Sequence, residues 1–469
     1  MRARPPFLAA CLAAITGLTG CAVKKPPTAP QIVQQSLPAT TKIRDQWASP
    51  AASGLVQDGW LKTLSDPQAE AVVEEVLRNN LDLRVGATRV EVAAGIATQA
   101  HAQLLPNVVV QGSTKVSGRF ENKRFNSSGI FAAASWEVDL WGKLRNQSAA
   151  AGESYEAMEA DVKFARESLA ALAAKTWYLV TYTRQLQQVA QEGITVYQGI
   201  VDVVQVKESF GEVPEQNIFL ARADLESAQA GLQQASSAHQ EAVRALEVLM
   251  GHYPAAELRS AEVFPNVPSP VPAGLPSELL ARRPDLIAAE RRVAASFHLT
   301  QSAKAARLPS ISLTLSGGRT NNDLFSLIGT NPDFWNAGTN FLAPIYLGGT
   351  LQAQVRIQTA QQQAATLAFG QAALRALSEV ETSLSNEGLL ADREQYLQAS
   401  VRDNSEAYRL GRIQFDVGAT DLLSVLQLQG RLLSGRAVLI GVEQERLTNR
   451  INLHLALGGS FQQAASKTP

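Results

Sequence analysis

Apolar residues recur at helical spacing from about Gln68 to Leu105, and Pro106 stops the run because its ring disfavours helical geometry at the preceding residue. The period then changes to two. Val108, Val110, Gly112, Thr114, Val116, Gly118 and Phe120 alternate with Val109, Gln111, Ser113, Lys115, Ser117 and Arg119. A polar segment, Glu121 to Ser128, leads into a second alternation of Ile130, Ala132, Ala134, Trp136, Val138 and Leu140 against Ser135, Glu137 and Asp139. Successive strand side chains point to opposite faces, so both stretches predict strands with one apolar and one polar face. The same pattern returns with Ile311, Leu313 and Leu315 against Ser310, Ser312, Thr314 and Ser316, then with Trp335, Ala337, Thr339 and Phe341 against Asn336, Gly338 and Asn340. After each hairpin the helical period resumes, over about 143–207 and 350–415, a length of roughly 95 Å at 1.5 Å per residue. A shorter helix is expected over about 212–250.

The chain is one unit written twice. Asp82-Leu83, Arg89-Val90, Ala102 and Leu105-Pro106 recur 203 residues later as Asp285-Leu286, Arg292-Val293, Ala305 and Leu308-Pro309. Gly142, Leu144, Gly211, Leu225, Leu232, Leu246 and Gly251 recur 207 residues later as Gly349, Leu351, Gly418, Leu432, Leu439, Leu453 and Gly458. A chance match would not hold one register over so long a stretch. The repeat divides the chain into a first unit at 61–251 and a second at 278–459. Between them lies a linker at 252–277 with Pro254, Pro265, Pro268, Pro270, Pro272 and Pro276; Pro26, Pro27, Pro30, Pro38 and Pro50 fall in a similar segment at 21–60. Proline at this density prevents regular helix and predicts extended straps. Residues 460–469 form a tail.

Leu172, Leu179 and Leu186 with Tyr182, Val189, Val196 and Val203 form a heptad set, and Leu426, Leu433, Ile440 and Leu447 form another seven-residue series. Strict sevens imply left-handed coiled-coil packing. The strands have the length and pattern of transmembrane β-strands, and Trp136, Trp141 and Trp335 stand near strand ends, where an aromatic belt would place them. Four strands leave two open edges, which lipid does not tolerate; closure between copies would remove them.

At the N-terminus, Arg2 and Arg4 precede an apolar stretch from Phe7 to Leu18, too short for a membrane anchor but suited to a signal peptide at 1–20. It ends in Leu18-Thr19-Gly20-Cys21, which resembles the bacterial lipobox, with Cys21 as the lipid-attachment site. Cys11 would leave with the signal, so the mature chain would keep one acylated cysteine and no intramolecular disulfide. Ala22 follows rather than Asp, which favours the outer membrane over retention at the inner one.

The chain has 469 residues, with 42 Lys+Arg against 43 Asp+Glu, and this balance argues against a nucleic-acid partner. A mean hydropathy of −0.06 excludes a bundle of membrane-spanning helices for the bulk of the chain. There is no Walker A, Gly-x-Ser-x-Gly or His-Glu-x-x-His motif, and His101, His239, His252, His298 and His454 are dispersed. Three Met provide no relay for copper or silver. No enzyme, metal or cofactor beyond the covalent lipid is expected.

The lipobox, the duplicated halves, the strand pairs between helices and the segments Phe415-Asp416-Val417-Gly418-Ala419-Thr420-Asp421 and Leu455-Ala456-Leu457-Gly458-Gly459 together resemble the TolC/OprM-type outer-membrane factors, in their lipoprotein branch allied to RND-type efflux pumps. Phe210-Gly211-Glu212-Val213-Pro214 looks like the first-half counterpart of the Gly418 segment. The resemblance implies an α plus membrane-β fold, a homotrimer whose four strands per chain close one twelve-stranded β-barrel continued by a long periplasmic α-helical coiled-coil barrel. It implies an exit channel in the outer membrane, opened when a periplasmic adaptor and an inner-membrane pump engage the helix tips. Those tips map to about Glu208–Pro214 and Phe415–Thr420, with Gly211, Val213, Gly418 and Thr420 as the adaptor contacts. In the family, the segment after the tip glycine often reads Leu-Asp-Val-Leu-Asp-Ala, and its carboxylates ring the narrowest point. Here it reads Leu423-Ser424-Val425-Leu426-Gln427-Leu428. Ser424 and Gln427 with Asp416 and Asp421 are therefore the candidate aperture-lining residues, and Asp421 is equally placed to cap the helix that follows. The alternatives are a pore-less, lipid-anchored periplasmic coiled-coil scaffold, which explains the helices but not the hairpins, and a stalked envelope enzyme, for which the repeat leaves no room.

Overall fold

The computed structural model describes residues 24–118, 124–267, 270–321 and 333–462. The lipobox with Cys21, the segments between the strands of each hairpin, Pro268 and the residues after 462 lie outside them. Among the described residues the order is α1 (Ala29–Ser36), α2 (Trp60–Thr63), α3 (Pro67–Asn79), α4 (Leu81–Ala102), β1 (Asn107–Gly118), β2 (Arg124–Val138), α5 (Lys143–Ser209), α6 (Gln216–Leu249), α7 (Pro276–Arg282), α8 (Pro284–Ala305), β3 (Ser310–Asn321), β4 (Asp333–Leu342), α9 (Thr350–Asp416) and α10 (Leu422–Ala456). The contacts divide the chain into two compact units that cut across both repeats. One takes the N-terminal segment to Thr41, Ala87–Asp161 and Asp285–Ala372; the other takes Lys42–Gly86, Val162–Pro284 and the chain from Ala373.

In the first unit the four strands form one antiparallel sheet in the order β1-β2-β3-β4. The register joins the predicted faces across the sheet. Val110 pairs with Ala132, Ala132 with Gly317 and Gly317 with Trp335; two rungs away, Val108, Ala134, Leu315 and Ala337 align. The neighbouring rungs align Gln111 with Phe131, and Ser135, Thr314 and Gly338 with one another. A one-residue slip would scramble this division, so the register follows from the alternation. The apolar face is bare: Val110 is 74% exposed, Leu315 56% and Trp335 80%. No helix among the described residues is long and apolar enough to cross a membrane; the apolar band belongs to the strands. Trp136 donates its indole N–H to the Leu104 carbonyl at 2.9 Å, and Trp141 donates to the Pro309 carbonyl at 2.7 Å, so both indoles are pinned at the helix–strand junctions.

The helices keep the order of the strands they extend. Gly86 of α4 faces Val162 of α5; Asn146 of α5 meets His298 of α8 at 2.9 Å; and Thr300 of α8 donates to the Gln358 carbonyl of α9 at 3.0 Å. The run predicted as one helix over 68–105 is two. Asp66 caps α3 by accepting from the N–H groups of Gln68 and Ala69, each at 3.0 Å. Asn80 then leaves helical geometry and accepts the Asp82 N–H at 2.9 Å, starting α4 afresh.

The second unit holds the larger core, in which Trp60, Leu64, Val73, Trp177, Tyr178, Val243, Leu246 and Ile451 are buried. On α5 the buried stripe is Ala170, Ala173, Ala174, Trp177 and Thr181, whereas the heptad residues Leu172 and Leu179 remain 45% and 40% exposed. Small alanines let neighbouring backbones approach within the chain, and the leucines face away from it. The predicted straps are present over much of both segments, but 29–36 is the regular helix α1, because Pro30 stands in its first turn, where a missing N–H costs nothing. Trp47 donates to the carbonyls of Ala273 and Gly274, Glu381 accepts the N–H groups of Ala48 and Ser49, and Arg282 holds the Val56 carbonyl and Asp58.

Candidate functional site at the helix tips

Both long helices end in the same device. At the first tip the Gly211 N–H donates to the Glu208 carbonyl at 2.8 Å and the Glu212 N–H to the Lys207 carbonyl at 2.9 Å. At the second, Gly418 donates to Phe415 at 3.0 Å and Ala419 to Gln414 at 2.7 Å, the same bonds 207 residues on. This paired motif satisfies the last carbonyls of a helix and needs a residue with positive φ. Gly211 and Gly418 supply it at 73° and 76°.

Beneath the turns lies a separate apolar cluster of Ile200, Val204, Leu225, Phe415, Leu422 and Val425, against which Val213 packs half-buried. Lys207 joins the two tips. Its ammonium stands 3.2 Å from a Glu212 carboxylate oxygen, donates to the Asp416 carbonyl at 3.3 Å and lies 5.4 Å from the centre of the Phe415 ring. A cleft between the turns is lined by Glu212, Val213, Asn217, Phe415 and Thr420. Each turn also presents an apolar side chain outward, Phe210 at 77% and Val417 at 74% exposed.

The four expected contact residues are thus brought together, although Val213 spends much of its surface on the cluster below. Phe210, Val417 and Lys207 escaped the sequence reading. The signal was available for the first two, because an apolar residue precedes the turn glycine at equivalent places in both repeats.

The structure also sorts the aperture candidates. Asp421 is the N-cap of α10: its Oδ1 accepts the Ser424 N–H at 2.7 Å. That backbone bond, with a second from the Ser424 hydroxyl, holds the Asp421 carboxyl below the usual carboxylate range. Ser424 is half-buried beside it, and Gln427 is exposed one turn further on. Asp416 lies across the turn on α9, 3.4 Å from Nε of Arg412.

A helical tip of this construction, joined through long helices to a one-faced membrane sheet, has clear relatives. The family model described as outer membrane efflux protein matches residues 72–252 and 275–459, and the chain belongs to that family. The cation efflux system protein CusC of Escherichia coli is 28% identical over 455 residues, covering 95% of this chain and 97% of that protein. The toluene efflux pump outer membrane protein TtgC of Pseudomonas putida is 27% identical over 430 residues, covering 88% and 89%. The solved open-state structure of the Neisseria gonorrhoeae MtrE outer membrane channel superposes with a TM-score of 0.83 at 24% identity, covering 95% of this chain and 99% of that one. The protein is an outer-membrane channel of a tripartite, RND-type efflux system. The open edges of its sheet are closed in the trimeric fold of these channels.

Proposed function

We propose that this chain is the passive exit duct of its efflux system, lipid-anchored through Cys21, and that its tips are the contact site for a periplasmic adaptor. The pair of matched turns carries this reading: each offers one exposed apolar side chain, Phe210 or Val417, on a backbone fixed by Gly211 or Gly418. Apolar anchors on a preordered backbone are what a docking partner uses most effectively. An RND-type pump supplies the energy and selects the cargo. The relatives named for cation efflux and for toluene efflux match this chain at 28% and 27% identity, which supports placing cargo choice outside the duct.

The aperture of this duct carries hydroxyl and amide groups at Ser424 and Gln427, while Asp421 is engaged as a helix cap. Rings of carboxylate concentrate multivalent cations and let them plug a pore; neutral rings do not. In planar bilayers, a trivalent cation added on the tip side should block conductance weakly, and Ser424→Asp should strengthen the block. Strong block that persists in Asp421→Ala, or no gain in Ser424→Asp, would place the constriction elsewhere.

A further inference from the structure

Strand side chains alternate, and the face of a membrane barrel that lines its lumen is polar. In this sheet that face carries Gln111, Ser113, Thr314, Ser316, Asn336 and Asn340. One rung departs from the rule. Gln111 pairs with Phe131, Phe131 with Gly318 and Gly318 with Phe334, so two phenyl rings stand on the polar face with a glycine between them. Phe131 is half-buried, and Phe334 is 37% exposed.

The glycine is a requirement of this rung. A Cβ at Gly318 would stand 2.5 Å from the Cα of Phe131 and 2.6 Å from its Cβ, and it would collide with the Ile130 carbonyl. Any side chain there would push β2 away from β3. One aromatic ring is enough to cover a cross-strand glycine, and Phe131 meets that need. Phe334, on the far strand, is left over. Neighbouring strands lie about 4.8 Å apart, so the two rings spring from backbones about 10 Å apart. Short side chains surround them on the same face: Gly129 and Thr320 two rungs away from the helices, Ala133 and Ser316 two rungs toward them.

We infer that each chain carries, in the lumen wall, a binding subsite for a flat aromatic solute in transit, held between Phe131 and Phe334 over Gly318. Carbon atoms in contact lie about 3.5–4.0 Å apart, so a ring inserted between two others needs about 7–8 Å. The spacing of the two strands supplies it, and Gly318 puts no side chain in the gap. Aromatic pairs attract beyond the apolar area that they bury. The amides of Gln111, on the same rung, and of Asn336, two residues along β4, offer a polar substituent of the solute both donors and acceptors. A wall of serine and asparagine alone would hold nothing apolar. The inference rests on the duct reading, because only in a duct does the polar face of the sheet meet a passing solute.

The test uses trimers in lipid nanodiscs, photolysed with 4-azidobenzoate, an aromatic probe whose charge keeps it out of lipid. Peptide mass spectrometry should find the adducts concentrated on β2 and β4 around Phe131 and Phe334, and excess benzoate should suppress them. Phe131→Ser with Phe334→Ser should reduce them about tenfold, whereas Phe131→Tyr with Phe334→Tyr keeps the rings and the labelling. Adducts spread evenly along the polar face, or a wild-type pattern that benzoate leaves unchanged, would overturn the subsite without need of any variant. Two cysteines check the duct separately. Asn336→Cys should react with a charged maleimide from water, and Ala337→Cys should be shielded by lipid. If those reactivities are reversed, the polar face is not luminal and the duct reading fails with the subsite. If they are as expected and the probe labels nothing at the rung, the subsite alone fails.

Discussion

The hairpin of α5 with α6 and that of α9 with α10 are repeats of one design, yet at equivalent positions one is dry and the other ionic. In the first, Val180 and Val243 are 0% and 1% exposed beside Ala242 and Leu246. In the second, the places of Val180 and Val243 are taken by Glu387 and Arg450, and that of Ala242 by Asn449. Arg450 is buried with its Nε 3.1 Å from a Glu387 oxygen, and Asn449 donates to the same carboxylate at 3.1 Å and to the Ser383 carbonyl at 2.9 Å. Arg446 pairs with Glu394 one turn along. Apolar burial tolerates small adjustments of register, whereas a buried charge demands one partner in one geometry. The two halves show that a single backbone design can be held by either chemistry, provided that each is complete.

Moving a charge into the dry seam should have the largest effect. Val243→Arg lacks a carboxylate to meet it and should cost about 5 kcal/mol or more, seen as loss of assembled protein on thermal denaturation. Arg450→Leu leaves the Glu387 carboxylate without its guanidinium partner and should cost about 3–5 kcal/mol. Glu387→Val with Arg450→Val rewrites the ionic seam as the dry one and should restore most of that loss. If the double variant is as unstable as the single one, the two seams are not interchangeable and the comparison fails.

Acid should separate the halves next. Glu247 and His454 occupy equivalent places at the ends of α6 and α10. Burial pushes the Glu247 carboxyl up, but N–H groups of Ala256, Glu257 and Leu258 at 2.8, 2.8 and 3.1 Å outweigh it and hold the group below its usual 4.5. Burial, with Arg450 nearby, lowers His454 from 6.5 to about 3, and its ring stacks on Trp60 at 5.8 Å. Between those two values an unfolded chain binds a proton that folded His454 refuses, so its contribution to stability falls as pH drops below about 6.5. The contribution of Glu247 is full above 4.5 and is lost only as pH falls below that. His454→Phe should therefore flatten the fall in melting temperature between pH 6.5 and 4.5, and Glu247→Gln should leave the slope in that window unchanged.

The smallest effect tests where the halves agree. Gly211→Ala and Gly418→Ala should each cost about 1–2 kcal/mol, because both positions need positive φ. Unequal losses, read by hydrogen exchange at the two turns, would show that one tip is tighter than the other.

Much of this was legible in the residues. The alternation over 108–140 and 311–341 specified the strands and their faces, because a period of two leaves only one way to bury or expose an apolar set. The two repeat offsets located the long helices and the matched turns. Other features depended on three-dimensional neighbours. Asn80 sits within a helical pattern and breaks it only because its own side chain offers the backbone a competing partner. Leu172 and Leu179 satisfy a heptad as well as Ala173 and Trp177 do, and only close approach by neighbouring helices selects the alanine stripe for the core of the chain. Asp421 fitted a gate and a cap equally in sequence, and the 2.7 Å bond from Ser424 engages it as a cap. Periodicity and repetition are local, one-dimensional properties, and the sequence by itself determined everything that follows from them. Which face packs inward and which charge finds its partner are decided by residues brought close from far along the chain, and only the tertiary structure brings them together.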